Sequence, residues 1–277
     1  MGKDIEEYTN KARVGIALFP FLHLLGSMPI RYIKTLTAPE RTQKANIDLG
    51  ITLAFVAGAL NAGGFLAVGQ YTSHMTGIAS SAADHLVLGN FDVAVAALIS
   101  LFSFICGSAF TAALVSFSLR HQRGRIYSAP LFVETGLLLC FGLIGSRLEA
   151  REFLTVSMTT MLLCFIMGLQ NALISRISNS EIRTTHITGL VTDIGMELGQ
   201  LAYWNASSVL KTKILANRRK LKVQVFLVTA FFTGGLTGAM GFKHLGYIST
   251  VPLAFLLIVI ALAPFSGKPF ALRKLSV

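Results

Sequence analysis

The sequence predicts an all-α integral membrane bundle of about six transmembrane helices, built as two three-span repeats in inverted orientation, each with a short re-entrant or broken helix. Composition is the first reason. Of 277 residues, 53% are hydrophobic and 13% charged, with a mean hydropathy of +0.65, whereas soluble chains carry about a quarter charged residues. The second is a set of six runs long enough to cross roughly 30 Å of hydrocarbon, which takes about 20 residues at 1.5 Å each. The third is a motif-bearing stretch that recurs about 110 residues later, with Asn61 and Asn171 in matching surroundings.

Residues 1–47 form a basic N-terminal arm. Its stretch ARVGIALFPFLHLLGSMPI, 12–30, starts on a charge as a signal peptide does, but Pro20 and His23 interrupt it and no small-residue cleavage site follows. It reads as an interfacial or bundle-packing helix that stays attached. The first membrane repeat, 48–147, holds the uncharged runs 50–73 and 93–119 and the run 127–146, interrupted only by Glu134. The second, 148–267, holds 153–175, 223–242 and 245–267. Residues 268–277 are a cytoplasmic tail. The net charge of +11 does not mark a nucleic-acid binder, because Lys and Arg gather between the spans, in the arm, at 120–125, at 211–222 and in the tail. Such clusters mark the cytoplasmic side.

The repeat is explicit. GALNAGGFLAVGQYTSHMTGIASSAADHLVLG, 58–89, and GLQNALISRISNSEIRTTHITGLVTDIGMELG, 168–199, both read GxxNA, then [ST]HxTG, then LG. From Asn to the last Gly is 28 residues in each (89 − 61 and 199 − 171). If the HTG segments crossed the membrane there would be eight spans, with the basic 120–125 loop on the side opposite the N-terminal arm. If they dip in and return, six spans remain and all basic clusters share one side. Three crossings per half then invert the second repeat, with a site expected near the midplane where the halves meet. Gly234 and Gly238, four apart, and CGSAF at 106–110 allow close helix packing.

Ser73-His74-Met75-Thr76-Gly77 and Thr185-His186-Ile187-Thr188-Gly189 are the sharpest features. Ser or Thr ahead of an apolar-periodic segment is an N-cap pattern, so each motif opens a short helix with free N–H groups. Helix N-termini favour anions, and His changes charge near neutral pH. His74, Thr76, His186 and Thr188 are therefore candidate contacts for a solute or proton, with Arg183 in reach of an anion; the plainer role for either His is to satisfy backbone carbonyls at the turn. Gly77 and Gly189 are expected at the helix break. Asn61, Gln170 and Asn171, whose amides donate and accept, are expected to brace it.

Asp193 and Glu197, four apart, share a helical face. Two roles stay open for them: a coupled acid pair for protons, or a solvated face beside the basic 211–222 loop. Glu134 is isolated within a span and needs a partner or a proton. Cys106, Cys140 and Cys164 stand singly, without CxxC, and read as packing residues rather than metal or disulfide chemistry. HExxH, GxSxG and P-loop signatures are absent, so no enzyme, cofactor or metal is expected.

GxxNAGGFLxxGxxxSHMTG, followed about 110 residues later by GLQNALISRIS and IRTTHITGLxTDxGxELG, resembles the YoaK-like family of bacterial multi-pass membrane proteins, a domain of unknown function, over roughly 48–265. The resemblance implies an inner-membrane protein of about six spans with no established substrate or reaction. One departure is Ile78, where the family is associated with Asn, a change that would remove a polar contact from the first half-site. The expected function is a small-solute transporter or channel-like carrier of the bacterial inner membrane, proton-coupled, with both termini cytoplasmic. Its partners would be the bilayer, a small polar solute, anionic or zwitterionic by preference, and optionally a second copy of the chain. The alternative is a non-transporting sensor or scaffold; a lipid-modifying enzyme stands third.

Overall fold

The computed structural model describes residues 43–121, 126–145, 153–203 and 215–262; most of the basic arm, including its 12–30 segment, and the C-terminal tail lie outside them. Among the described residues all regular structure is helical. The elements are α1 (Gln43–Val68), α2 (Met75–Val87), α3 (Phe91–Arg120), α4 (Ser128–Gly145), α5 (Phe153–Ile177), α6 (Ile187–Ala202), α7 (Arg218–Leu245), a 3-10 turn (Gly246–Ser249) and α8 (Thr250–Leu262). Each of the six apolar runs supplies one helix, and each HTG motif opens another.

Among the described residues four stretches are long and apolar enough to cross a membrane: α1, α3, Ser157–Ile177 of α5, and Arg218–Leu262. The last is 45 residues, about 68 Å if straight and twice what a bilayer needs. It is interrupted instead by the 3-10 turn at Gly246, whose φ of +60° a side chain would resist, so α7 and α8 are separate helices. Ser128–Leu143 of α4 is a shorter apolar helix. α2 and α6, 13 and 16 residues, reach only about 20–24 Å and do not cross.

Long apolar helices in lipid bury what their neighbours leave no room for. α1 and α5 are the centre, with 61% of their apolar windows buried, whereas α3 has 22% and turns its apolar side chains outward. The core runs through Leu49, Leu53 and Leu60 of α1, Ile166, Met167 and Leu173 of α5, and Leu131 and Leu138 of α4, closed by Leu256, Leu257 and Ile260 of α8.

Contacts come in matched pairs. α1 packs along α7 and α5 along α3; α2 rests on α3 and α6 on α7; α4 and α8 pack on each other. The two long pairs interlock through the same device. Phe55 and Gly58 on α1, Phe231 and Gly234 on α7, Phe104 and Gly107 on α3, and Phe165 and Gly168 on α5 each form an FxxG turn. A Cβ on Gly58 would overlap the Phe231 carbonyl, and one on Gly234 that of Phe55. Likewise Gly107 meets the Phe165 carbonyl and Gly168 that of Phe104. Four glycines thus let two helix pairs touch backbone to backbone, as association in lipid requires. The α3–α5 contact adds hydrogen bonds from Ser108 Oγ to the Gly168 carbonyl and Thr111 Oγ1 to that of Leu169, each 3.1 Å.

Candidate functional site

Each half builds its turn from one amide. Asn61 lies on α1, seven residues before its end, and its Oδ1 accepts from Ser73 N at 3.2 Å and Ser73 Oγ at 2.9 Å. The chain beyond α1 therefore doubles back alongside its last two turns. Asn171 does the same on α5: its Oδ1 accepts from Thr185 Oγ1 at 2.8 Å and Thr184 Oγ1 at 3.4 Å, while Nδ2 donates to the Met167 carbonyl at 2.9 Å. With Ser73 and Thr185 committed to these amides, the N-cap falls one residue later, on His74 and His186. Their carbonyls accept the first helical bonds, from Ile78 N at 3.0 Å and Leu190 N at 3.1 Å. Among the described residues neither imidazole has a hydrogen-bond partner, which leaves ring nitrogens available at both helix starts.

Gly77 and Gly189, expected at the break, stand inside the first turns of α2 and α6. There each ring folds back over its own helix, and a Cβ on Gly77 would overlap the His74 ring, one on Gly189 the His186 ring. The HxTG spacing is thus a seat for the imidazole. Gly77→Ala and Gly189→Ala are expected to displace the rings while leaving the fold intact. The check is the histidine ring chemical shifts of each variant: unchanged shifts would remove this role from the glycines.

Both turns open on one cavity of about 700 Å³, lined by Asn61, Ser73, His74 and Thr76 from one half and Asn171, Thr185, His186 and Thr188 from the other. Phe104 and Phe231, from the two FxxG pairs, also face it, and among the described residues Arg183 is the one formally charged residue on its wall. A second cavity of about 780 Å³ shares Tyr71 and His74 with the first and continues along the N-terminal turns of α3 and past Ser157 and Thr160 of α5. A third, of about 590 Å³, shares Arg183 and His186 and continues to Asn46, Asp193, Arg219, Lys220 and Gln224. The central cavity is therefore flanked on each hand by another, with one HTG histidine at each junction.

Asp193 and Glu197 lie away from the central cavity. Asp193 Oδ2 accepts from Gln224 Nε2 at 2.6 Å and pairs with Lys220 Nζ at 3.2 Å; Glu197, buried, accepts from Asn217 N at 2.6 Å, with Lys220 Nζ at 3.9 Å. Asn217 is the N-cap of α7, its Oδ1 accepting from Lys220 N at 3.0 Å. The acids thus hold α6 to the start of α7. Lys220 is 45% exposed, so its pairs are worth under about 1 kcal/mol, while the part-buried bond from Asn217 N to the Glu197 carboxylate is of the charge-assisted kind, worth about 1.5–3 kcal/mol at most. Glu197→Ala is therefore expected to lower the melting temperature more than Lys220→Met does; the reverse order would locate the latch in the ion pairs.

Gln170 is fully buried and donates from Nε2 to Glu134 Oε1 at 2.9 Å, away from the HTG turns. Ile78 is also buried, against Ala82, Ala97 and Cys164, so the departure from the family pattern lies in the α2–α3–α5 core and on the wall of the second cavity, not of the central one. Tyr71, Lys220, Gln224, Phe104 and Phe231 were not candidates from sequence. The repeated FxxG spacing was the available signal for the two phenylalanines; Lys220 sat within a basic cluster that reads equally as a topology signal.

The family model described as Protein of unknown function (DUF1275) matches residues 49–263, the region over which the chain resembles the YoaK-like family. No curated protein and no solved structure matches.

Proposed function

The chain belongs to the DUF1275 family of proteins of unknown function, and from that premise we propose that this member is a carrier for a small anionic or zwitterionic solute rather than an enzyme. The observation that carries the reading is the central cavity, where the two HTG helix starts meet under His74 and His186 with Arg183 on the wall and, among the described residues, no carboxylate lining it. Two helix N-termini and a guanidinium make a positive potential without a counter-charge. His74 and His186, with Thr76 and Thr188, contact the solute; Asn61 and Asn171 hold the turns in place. Asp193 and Glu197 act in this reading on the position of α6.

The flanking cavities support passage, since each meets the central one at a histidine. The exchange of partners between halves, α1 with α7 and α5 with α3, and the reciprocal FxxG contacts support inverted repeats. Positive-inside asymmetry supports a cytoplasmic orientation for the Arg183 side, which shares a cavity with Arg219 and Lys220.

The test is a thermal-shift screen of the purified protein in detergent against phosphate, sulfate, nitrate, amino acids, glucose and sodium, with His74→Ala/His186→Ala alongside. A solute at about 100 times its Kd stabilises by about 2.7 kcal/mol. An anion or amino acid that stabilises the wild type and not the variant is the expected result. No stabilisation by any solute, with the variant strongly destabilised, would hand the lead to the scaffold reading.

A further inference from the structure

Glu134 on α4 and Gln170 on α5 are both fully enclosed, and one hydrogen bond joins them, from Gln170 Nε2 to Glu134 Oε1. The two remaining oxygens, Glu134 Oε2 and Gln170 Oε1, have no partner among the described residues. Both are acceptors, so neither can satisfy the other, and bare polar oxygens inside hydrocarbon-facing protein are costly. A proton on Oε2 removes the conflict, because it turns that oxygen into a donor, and donation to the amide oxygen of the same partner would close a two-bond acid–amide ring. A metal ion fits poorly: the pair offers two oxygens, and hard cations take about six.

No charged group stands in for the proton among the described residues. α8, packed on α4, carries no titratable side chain; α5 contributes Cys164 and Arg176, α3 Asp92, Cys106 and Arg120, the 3-10 turn Tyr247, and α4 itself Cys140. None of them bonds to or pairs with Glu134. The pair also breaks the internal correspondence. Leu60 occupies the place of Gln170 in the first GxxNA stretch, and α8, the counterpart of α4, has no acid. A polar brace needed for folding would be expected in both halves; a single ion site is needed in one. Gln170 also precedes Asn171, which holds Thr184 and Thr185 just ahead of His186.

We infer that Glu134 and Gln170 form a proton-binding site, with the proton on Glu134 Oε2 donating to Gln170 Oε1, and that this proton is the ion coupled to the second HTG turn. The proton comes from and returns to water, and no other covalent bond changes. Losing it sets two acceptor oxygens against each other, and the strain is relieved by moving Gln170 and with it Asn171. The coupling half of this inference rests on the carrier reading; the proton site does not.

Infrared spectra of the full-length protein read the carboxyl directly. The wild type should show the carbonyl stretch of a protonated carboxyl that shifts in D2O, Glu134→Gln should lack it, and Gln170→Leu, which removes the bond to Oε1, should move it to higher frequency. A wild-type spectrum with no band that Glu134→Gln removes, or a band insensitive to Gln170→Leu, overturns the pair. A band that never shifts in D2O means a sealed proton and overturns the coupling. Coupling is read separately by maleimide labelling of Thr188→Cys, with the native cysteines replaced by alanine, across pH. The profile should differ between the Glu134 and Glu134→Gln backgrounds; identical profiles overturn coupling and leave the cavity reading to its own screen.

Discussion

Gly58→Val and Gly168→Val are each expected to deplete the folded protein, with the detergent-solubilised variants eluting as aggregates where the wild type gives a single peak. Each glycine faces a backbone carbonyl of the partner helix, Phe231 for Gly58 and Phe104 for Gly168. A backbone carbonyl inside a helix cannot swing aside as a side chain can, so the added carbons must separate the helices. Overpacking of this kind costs about 1–3 kcal/mol even for small increments, a large share of a margin of about 5–15 kcal/mol.

The milder alanine variants test the reciprocal geometry. Gly58→Ala and Gly234→Ala act on one helix pair, so once the first has pushed α1 from α7 the second meets less resistance and their costs should fall short of additive. Gly58→Ala and Gly107→Ala act on different pairs with no shared partner and should add. Gly136 and Gly195, where a Cβ meets nothing within 4 Å, are the controls: alanine there should hold or raise the melting temperature, by about 0.5–1 kcal/mol of helix preference. Equal losses at all of these glycines would mean that helix propensity, not contact, governs the bundle.

The helices were legible because lipid imposes one rule on every span, a long run without charge, and the runs at 50–73, 93–119, 127–146, 153–175, 223–242 and 245–267 each coincide largely with one helix of the bundle. Local repetition exposed the turns as well, since GxxNA and HxTG carry both the amide and the histidine of each. What composition could not show was who receives a side chain. Ser73 and Thr185 look like N-caps, yet the amides of Asn61 and Asn171 take their hydroxyls and shift the cap to histidine. The FxxG turns have the same difficulty: each glycine is explained only by a carbonyl on another helix, dozens of residues or more away. Asp193 and Glu197 read as a proton pair or a solvated face, and the bonds from Asn217 and Gln224 depend on a tertiary contact between α6 and α7 that no local spacing encodes.

Arg183→Gln is expected to weaken whichever anion the screen identifies by about ten- to a hundred-fold, because charge-assisted hydrogen bonds are worth about 1.5–3 kcal/mol and no other formal charge among the described residues faces the central cavity. Arg183→Lys should recover part of the loss: it restores the charge but not the planar fork that grips two oxygens of a carboxylate or phosphate. The graded order, wild type above Lys above Gln, separates recognition from folding, since Arg183 is exposed and its substitution leaves the melting temperature of the solute-free protein near the wild-type value. His74→Ala alone, on the opposite junction, should lower affinity without changing this order. Equal affinity in Arg183→Gln and wild type would mean that the two helix starts hold the solute by backbone N–H groups alone, and would shift the preference from anions to neutral or zwitterionic solutes.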